Sequence, residues 1–220
     1  MSKRTLIAGS VVAAIAASAG AQVTIPLNDP STGAASGWEV VIFDPQHADI
    51  VTDFVSLQDG VVVIQKYAEF TRIDPFTGAP EAINIDFRQV ADDANTVTKI
   101  VITDERIINN TGVDWDGFNN ILVDSGQATW NAAEMAGVSI APFTQESFSA
   151  DMTLYRTFGG FVTDGSTWLP GAAQGAFVID VNLDNDNPVV FTLKELPSVP
   201  APGSMALLGL AGVVGIRRRR

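Results

Sequence analysis

The sequence predicts an all-β protein, a single antiparallel β-sandwich of about eight to ten strands. Three observations carry that expectation. Hydrophobic residues recur with period two rather than 3.6. Turn dipeptides punctuate the chain at short intervals. The 175 residues between two terminal address signals are enough to bury one proper core. Valine, isoleucine, phenylalanine and threonine concentrate in segments 39–43, 60–70, 82–90, 97–108, 118–123, 147–155, 176–183 and 189–196. The alternation is clear where Ile83, Ile85 and Phe87 flank Asn84 and Asp86. It recurs from Phe148 to Leu154 and from Phe177 to Leu183. Each such strand has one apolar and one wet face, as antiparallel sheets require. Asp59-Gly60, Asp74-Pro75, Thr77-Gly78, Thr111-Gly112, Asp116-Gly117, Ser125-Gly126, Asp164-Gly165 and Asn187-Pro188 separate them. Residues 130–136, after Thr129, form the only helix candidate.

The chain opens on a pattern that does not belong to the fold. Lys3 and Arg4 precede an apolar stretch over residues 6–17, and Ala19-Gly20-Ala21 supplies the small-x-small exit of a secretory signal peptide. Residues 1–21 are therefore expected to be removed by signal peptidase, with cleavage between Ala21 and Gln22. The body spans residues 22–196. It contains no cysteine, so there is no disulfide framework, thiol nucleophile or zinc-thiolate site.

At the other end three prolines fall between Pro197 and Pro202, where neither helix nor central strand should continue. Residues 205–216 are twelve uncharged, mostly small apolar residues, and Arg217, Arg218, Arg219 and Arg220 follow. As a helix this run would span about 18 Å, short of the ~20 residues a bilayer normally takes. The arginines hold to the cytoplasmic side and extend its reach. The order of Pro200-Ala201-Pro202-Gly203, a small-residue apolar helix and a closing arginine cluster resembles the PEP-CTERM sorting signal, with alanine where Pro-Glu-Pro is usual. Over residues 197–220 the resemblance implies export, a transient membrane stop through helix 205–216, and recognition by an exosortase-type enzyme near Pro200 to Gly203. Asn109-Asn110-Thr111-Gly112-Val113-Asp114-Trp115 is similar to a turn-strand element in the β-sandwich bodies of such proteins; physically, Trp115 should cap one end of the core.

Charge narrows the partners. All 25 acidic residues lie in the body, against seven basic side chains there, a net −18. No basic stripe exists to neutralise phosphates, so nucleic acid is not an expected partner.

Few residues suggest chemistry. His47, the only histidine, lies in a polar turn, and no Gly-x-Ser-x-Gly elbow accompanies it; a turn histidine without a local catalytic partner is expected. Asp180, Asn182, Asp184 and Asp186 alternate like the start of a calcium loop, but Asn185 replaces the turn glycine and no glutamate closes the loop. A strand leaving the core is the simpler reading, with weak calcium binding the alternative; no other cofactor is expected. Asn109-Asn110-Thr111 matches a glycosylation sequon. Trp38, Trp115, Trp130, Trp168, Tyr67 and Tyr155 are either core aromatics or sugar-stacking platforms. The expected function is that of a non-enzymatic exported protein of the cell surface or extracellular matrix. The alternatives are a polysaccharide-binding module and, behind it, a hydrolase using two carboxylates.

Overall fold

The computed structural model describes residues 22–200, apart from 124–125 and 184–186. The expected signal peptide, the helix at 205–216 and the arginine tail lie outside the described residues. Among the described residues there is no α-helix, and thus none long and apolar enough to cross a membrane. The described residues hold thirteen strands, more than expected, in two sheets. One has the order β1 (Val23–Asn28), β2 (Ala35–Ile42), β5 (Ile83–Gln89), β13 (Val190–Ser198), β7 (Trp115–Val123), β10 (Leu154–Val162) and β9 (Gln145–Phe148). The other has the order β3 (Ala48–Ser56), β4 (Val61–Phe70), β6 (Lys99–Asn109), β12 (Phe177–Val181) and β8 (Ala128–Trp130), with β11 (Thr167–Trp168) beside β6.

Among the described residues every strand pairing is antiparallel except one. β4 and β6 run parallel, because the chain leaves β4, builds β5 in the opposite sheet, and returns in its original direction. The inner faces meet in one core that includes residues of both sheets. Aromatic rings fill its length. Phe118 packs against Phe70, Trp115 and Trp168 at centroid distances of 5.7, 5.9 and 5.1 Å. Trp38 and Phe87 meet Phe191, and Tyr155 meets Phe177, Phe148 and Trp130.

Several expectations need correction. Residues 149–153 are the connection between β9 and β10, not strand. The Ser149 hydroxyl accepts from the amides of Thr153 and Leu154, and Met152 adopts φ 55°. A serine and an aspartate competing for local backbone donors outweigh the alternation there. The helix candidate at 130–136 begins as the end of β8 and continues as turns, anchored by Asn131, whose carbonyl accepts from the Met135 amide. β1 and β3 were not anticipated. Both lie at sheet edges, where Pro26 is tolerated and where Val51 and Phe54 can stay exposed. β13 also runs through Pro197 to Ser198. Its pairing with β5 ends at Glu195, so Pro197 has only β7 as neighbour and its missing donor is not required on the other side.

Trp115 is fully buried, as the sequence suggests. The turn before it is knitted by Asn109, whose amide donates to the carbonyls of Val113 and Val162 while its oxygen accepts from Thr111. At the opposite turn of the first hairpin Asp29 accepts from Ser31, Thr32 and, across the sheets, Val55. These donors, the Ser31 hydroxyl first, hold its carboxyl well below the usual carboxylate range.

Candidate functional site

A groove of about 540 Å³ opens at one end of the two sheets. The β2–β3 connection supplies Phe43, Asp44 and His47. The end of β4 supplies Glu69, with Thr71 and Arg72 just beyond it. The outward faces of β5 and β13 supply Asn84, Asp86, Thr192 and Lys194. The strand ladders hold this floor rigid, and period two turns Thr192 and Lys194 outward while Phe191, Leu193 and Glu195 turn in.

The rim is organised around His47. Its Nδ1 lies 2.9 Å from Asp44 Oδ1 and its Nε2 3.0 Å from the Thr71 hydroxyl. The loop is fixed as well, since the Asp44 carbonyl accepts from the amides of His47 and Ala48, and the His47 carbonyl accepts from Glu69. Both ring nitrogens of His47 thus have hydrogen-bond partners. Asp44 is legible three residues before it, whereas Thr71 arrives only through the β3–β4 pairing. Arg72 takes the other oxygen of Asp44, and Thr192 donates to Asp86 at 2.7 Å. The relay has the order of a nucleophile, a base and an orienting acid. However, its acid is shared with a guanidinium, and its hydroxyl is the hindered one of threonine.

A second polar cluster lies inside the core. Lys66 of β4, Glu105 of β6 and Glu195 of β13 are each 2% exposed or less. The Lys66 ammonium donates to Glu195 at 2.5 Å and pairs with Glu105. Burial pushes the Lys66 ammonium down, but the two carboxylates outweigh it and the net shift is up. Burial and the nearby Glu195 push the Glu105 carboxyl up to about 8, with Lys66 opposing. Glu105 is therefore the protonated member near neutral pH. Across the ladder from Glu195 stands Asn120 of β7, buried, and neither its Nδ2 nor Oε2 of Glu195 has a hydrogen-bond partner among the described residues.

This cluster was not anticipated, although part of it is legible. Lys66 shares parity with the buried Val62, Ile64, Ala68 and Phe70, and Glu195 shares parity with Phe191 and Leu193. Glu105 was not legible in that way. Gln65 pairs with Thr103 but Tyr67 pairs with Arg106, so an extra residue in β6 switches its inward parity from Ile100 and Ile102 to Glu105 and Ile107.

The remaining candidates resolve differently. Trp38, Trp115, Trp130 and Trp168 are 2% exposed or less and Tyr155 is fully buried, so none of these five forms a sugar platform. The exposed aromatics are phenylalanines: Phe43, Phe54, Phe76 and Phe161. Asp180 accepts from the Asn131 side chain at 2.7 Å, and the Asn182 amide donates to the Gln127 carbonyl. Asp184 and Asp186 lie outside the described residues, and among those described no three acidic or histidine side chains converge to hold a metal ion. Asn109 of the sequon is fully buried, with its amide already donating twice, so the folded chain offers no acceptor there. Pro200 follows β13 by two residues, and Ala201, Pro202 and Gly203 lie outside the described residues. No family model matches this chain, and neither curated proteins nor solved structures yield a match.

Proposed function

We propose that this chain is a non-enzymatic exported protein of the cell surface or extracellular matrix, whose β-sandwich body binds polysaccharide in the groove between His47 and Lys194. The observation that carries the reading is the groove itself. Neutral hydrogen-bonding groups on Asn84 and Thr192, ionic groups of both signs, and the half-exposed ring of Phe43 converge on a floor that cannot collapse. Alternating donors, acceptors and one apolar surface suit the hydroxyls and flat CH faces of a sugar. On an array of extracellular polysaccharides the mature chain should retain one class, equally with and without calcium. Lys194→Glu and Asn84→Ala should each weaken retention about tenfold, roughly 1.4 kcal/mol. Retention of no polysaccharide would overturn the binding reading.

The terminal patterns support export. In this reading signal peptidase cuts before Gln22, and the exosortase-type enzyme acts just after the ladder ends at Ser198, where Pro200-Ala201-Pro202-Gly203 presents extended backbone. Helix 205–216 and Arg217 to Arg220 hold the precursor briefly in the membrane. A tagged body should shorten and leave the membrane only in a host with the sorting enzyme. Equal size and membrane retention in both hosts would make the segment a permanent anchor.

A further inference from the structure

We propose that Lys66 and Glu105 condense within the folded core into a side-chain amide that joins β4 to β6, with Glu195 acting as the base. The amide is a covalent tie in a chain with no cysteine to form any other.

The geometry supplies each part. The Lys66 amine is fully buried between two carboxyls on two different strands, one in its own sheet and one in the facing sheet. Bulk water does not reach it, since the side chains of the three residues are at most 1% exposed. Three charged side chains placed in an aromatic core are costly unless their charges cancel. One ammonium, one carboxylate and one carboxylic acid sum to zero, and that is also the set of species that condensation needs.

The step balances without any co-reactant. The Lys66 ammonium passes a proton along the 2.5 Å contact to the Glu195 carboxylate. The free amine pair attacks the carboxyl carbon of Glu105, which is already an acid and so a better electrophile than a carboxylate. In the tetrahedral adduct Glu195 relays a proton from nitrogen to the departing hydroxyl, which leaves as water. The C–N bond forms as the C–OH bond breaks. Glu195 finishes protonated, so the cluster is neutral before and after. In dilute solution such a reaction is negligibly slow. Held in contact, an intramolecular pair reaches effective molarities on the order of 10⁵–10⁸ M.

Intact-mass measurement of the full mature chain tests this directly. The expected result is a mass lower than the sequence by one water molecule, in every folded chain. Trypsin should fail to cut after Lys66, and the digest should contain one branched peptide carrying Lys66 and Glu105. A chain produced and kept in denaturant should show the full mass. Glu195→Gln keeps the size and removes the base, so it should fold, by its far-UV spectrum, and yet retain its water. Lys66→Arg should also retain the water. Full mass in the folded wild type would overturn the proposal, leaving a buried ionic cluster only. A branched peptide carrying Glu195 in place of Glu105 would overturn the assignment, and rapid water loss from Glu195→Gln would overturn the role of the base.

Discussion

Lys66→Ala should lower folding stability by about 3–5 kcal/mol near neutral pH, because it leaves the buried Glu195 carboxylate without its counter-ion. The loss should depend on pH in a definite direction. Glu105 is raised to about 8 in the folded chain, from an ordinary 4.5. Between those values a folded chain without the amide holds a proton that the unfolded chain has released, so its stability falls as pH rises across that window. Lys66 opposes that rise, so without it the Glu105 carboxyl is held up more strongly and the decline should extend to higher pH. Acidifying the variant to about pH 5 should therefore raise its stability, which a simple cavity would not do. Urea unfolding of both chains at the two pH values checks this. A variant within 1 kcal/mol of wild type at neutral pH would show that the cluster is not paired as described. Where the amide has formed, Lys66 and Glu105 no longer titrate, and the wild-type slope disappears while that of the variant remains.

Phe118→Ala should cost about 3–5 kcal/mol, the range for emptying a fully buried aromatic site. The ring is inaccessible to solvent and touches three others from both sheets. Strands pinned by ladders on either side of β7 cannot close over the space, so little of the cavity should be recovered. For a domain of this size that corresponds to a fall in Tm of roughly 10 °C. Phe118→Leu, which refills most of the volume, should lose less than half as much. A thermal melt of the two variants decides it; equal and small losses would mean that the rings around Phe118 rearrange freely.

Much of the fold was legible because each strand obeys a local rule. β4, β5 and β13 alternate so regularly that their inner faces can be read from the residues alone, and Asp59-Gly60 and Thr111-Gly112 mark real turns. The misreading of residues 149–153 has a local cause. Residues 147–155 alternate as a strand does, but Ser149 and Asp151 take the backbone donors of Thr153 first. Alternation reports a possible face, whereas a turn is decided by which local hydrogen bonds close.

The candidate sites were less legible. His47 and Asp44 sit three residues apart, yet Thr71 joins them only once β3 and β4 pair. Lys66, Glu105 and Glu195 span 129 positions. Period two places the first and last on apolar faces, and the irregular register of β6 alone turns Glu105 inward.

By itself the sequence determined the all-β class, the acidic body, the absence of any disulfide and the address-like composition of both ends, since these rest on composition and short-range pattern. Tertiary structure alone decided that β4 and β6 run parallel, that the four tryptophans point inward and that a lysine meets two glutamates in the core. The physical reason is that such features depend on which distant strands share a ladder and which face a one-residue shift exposes, and neither is written in any local window.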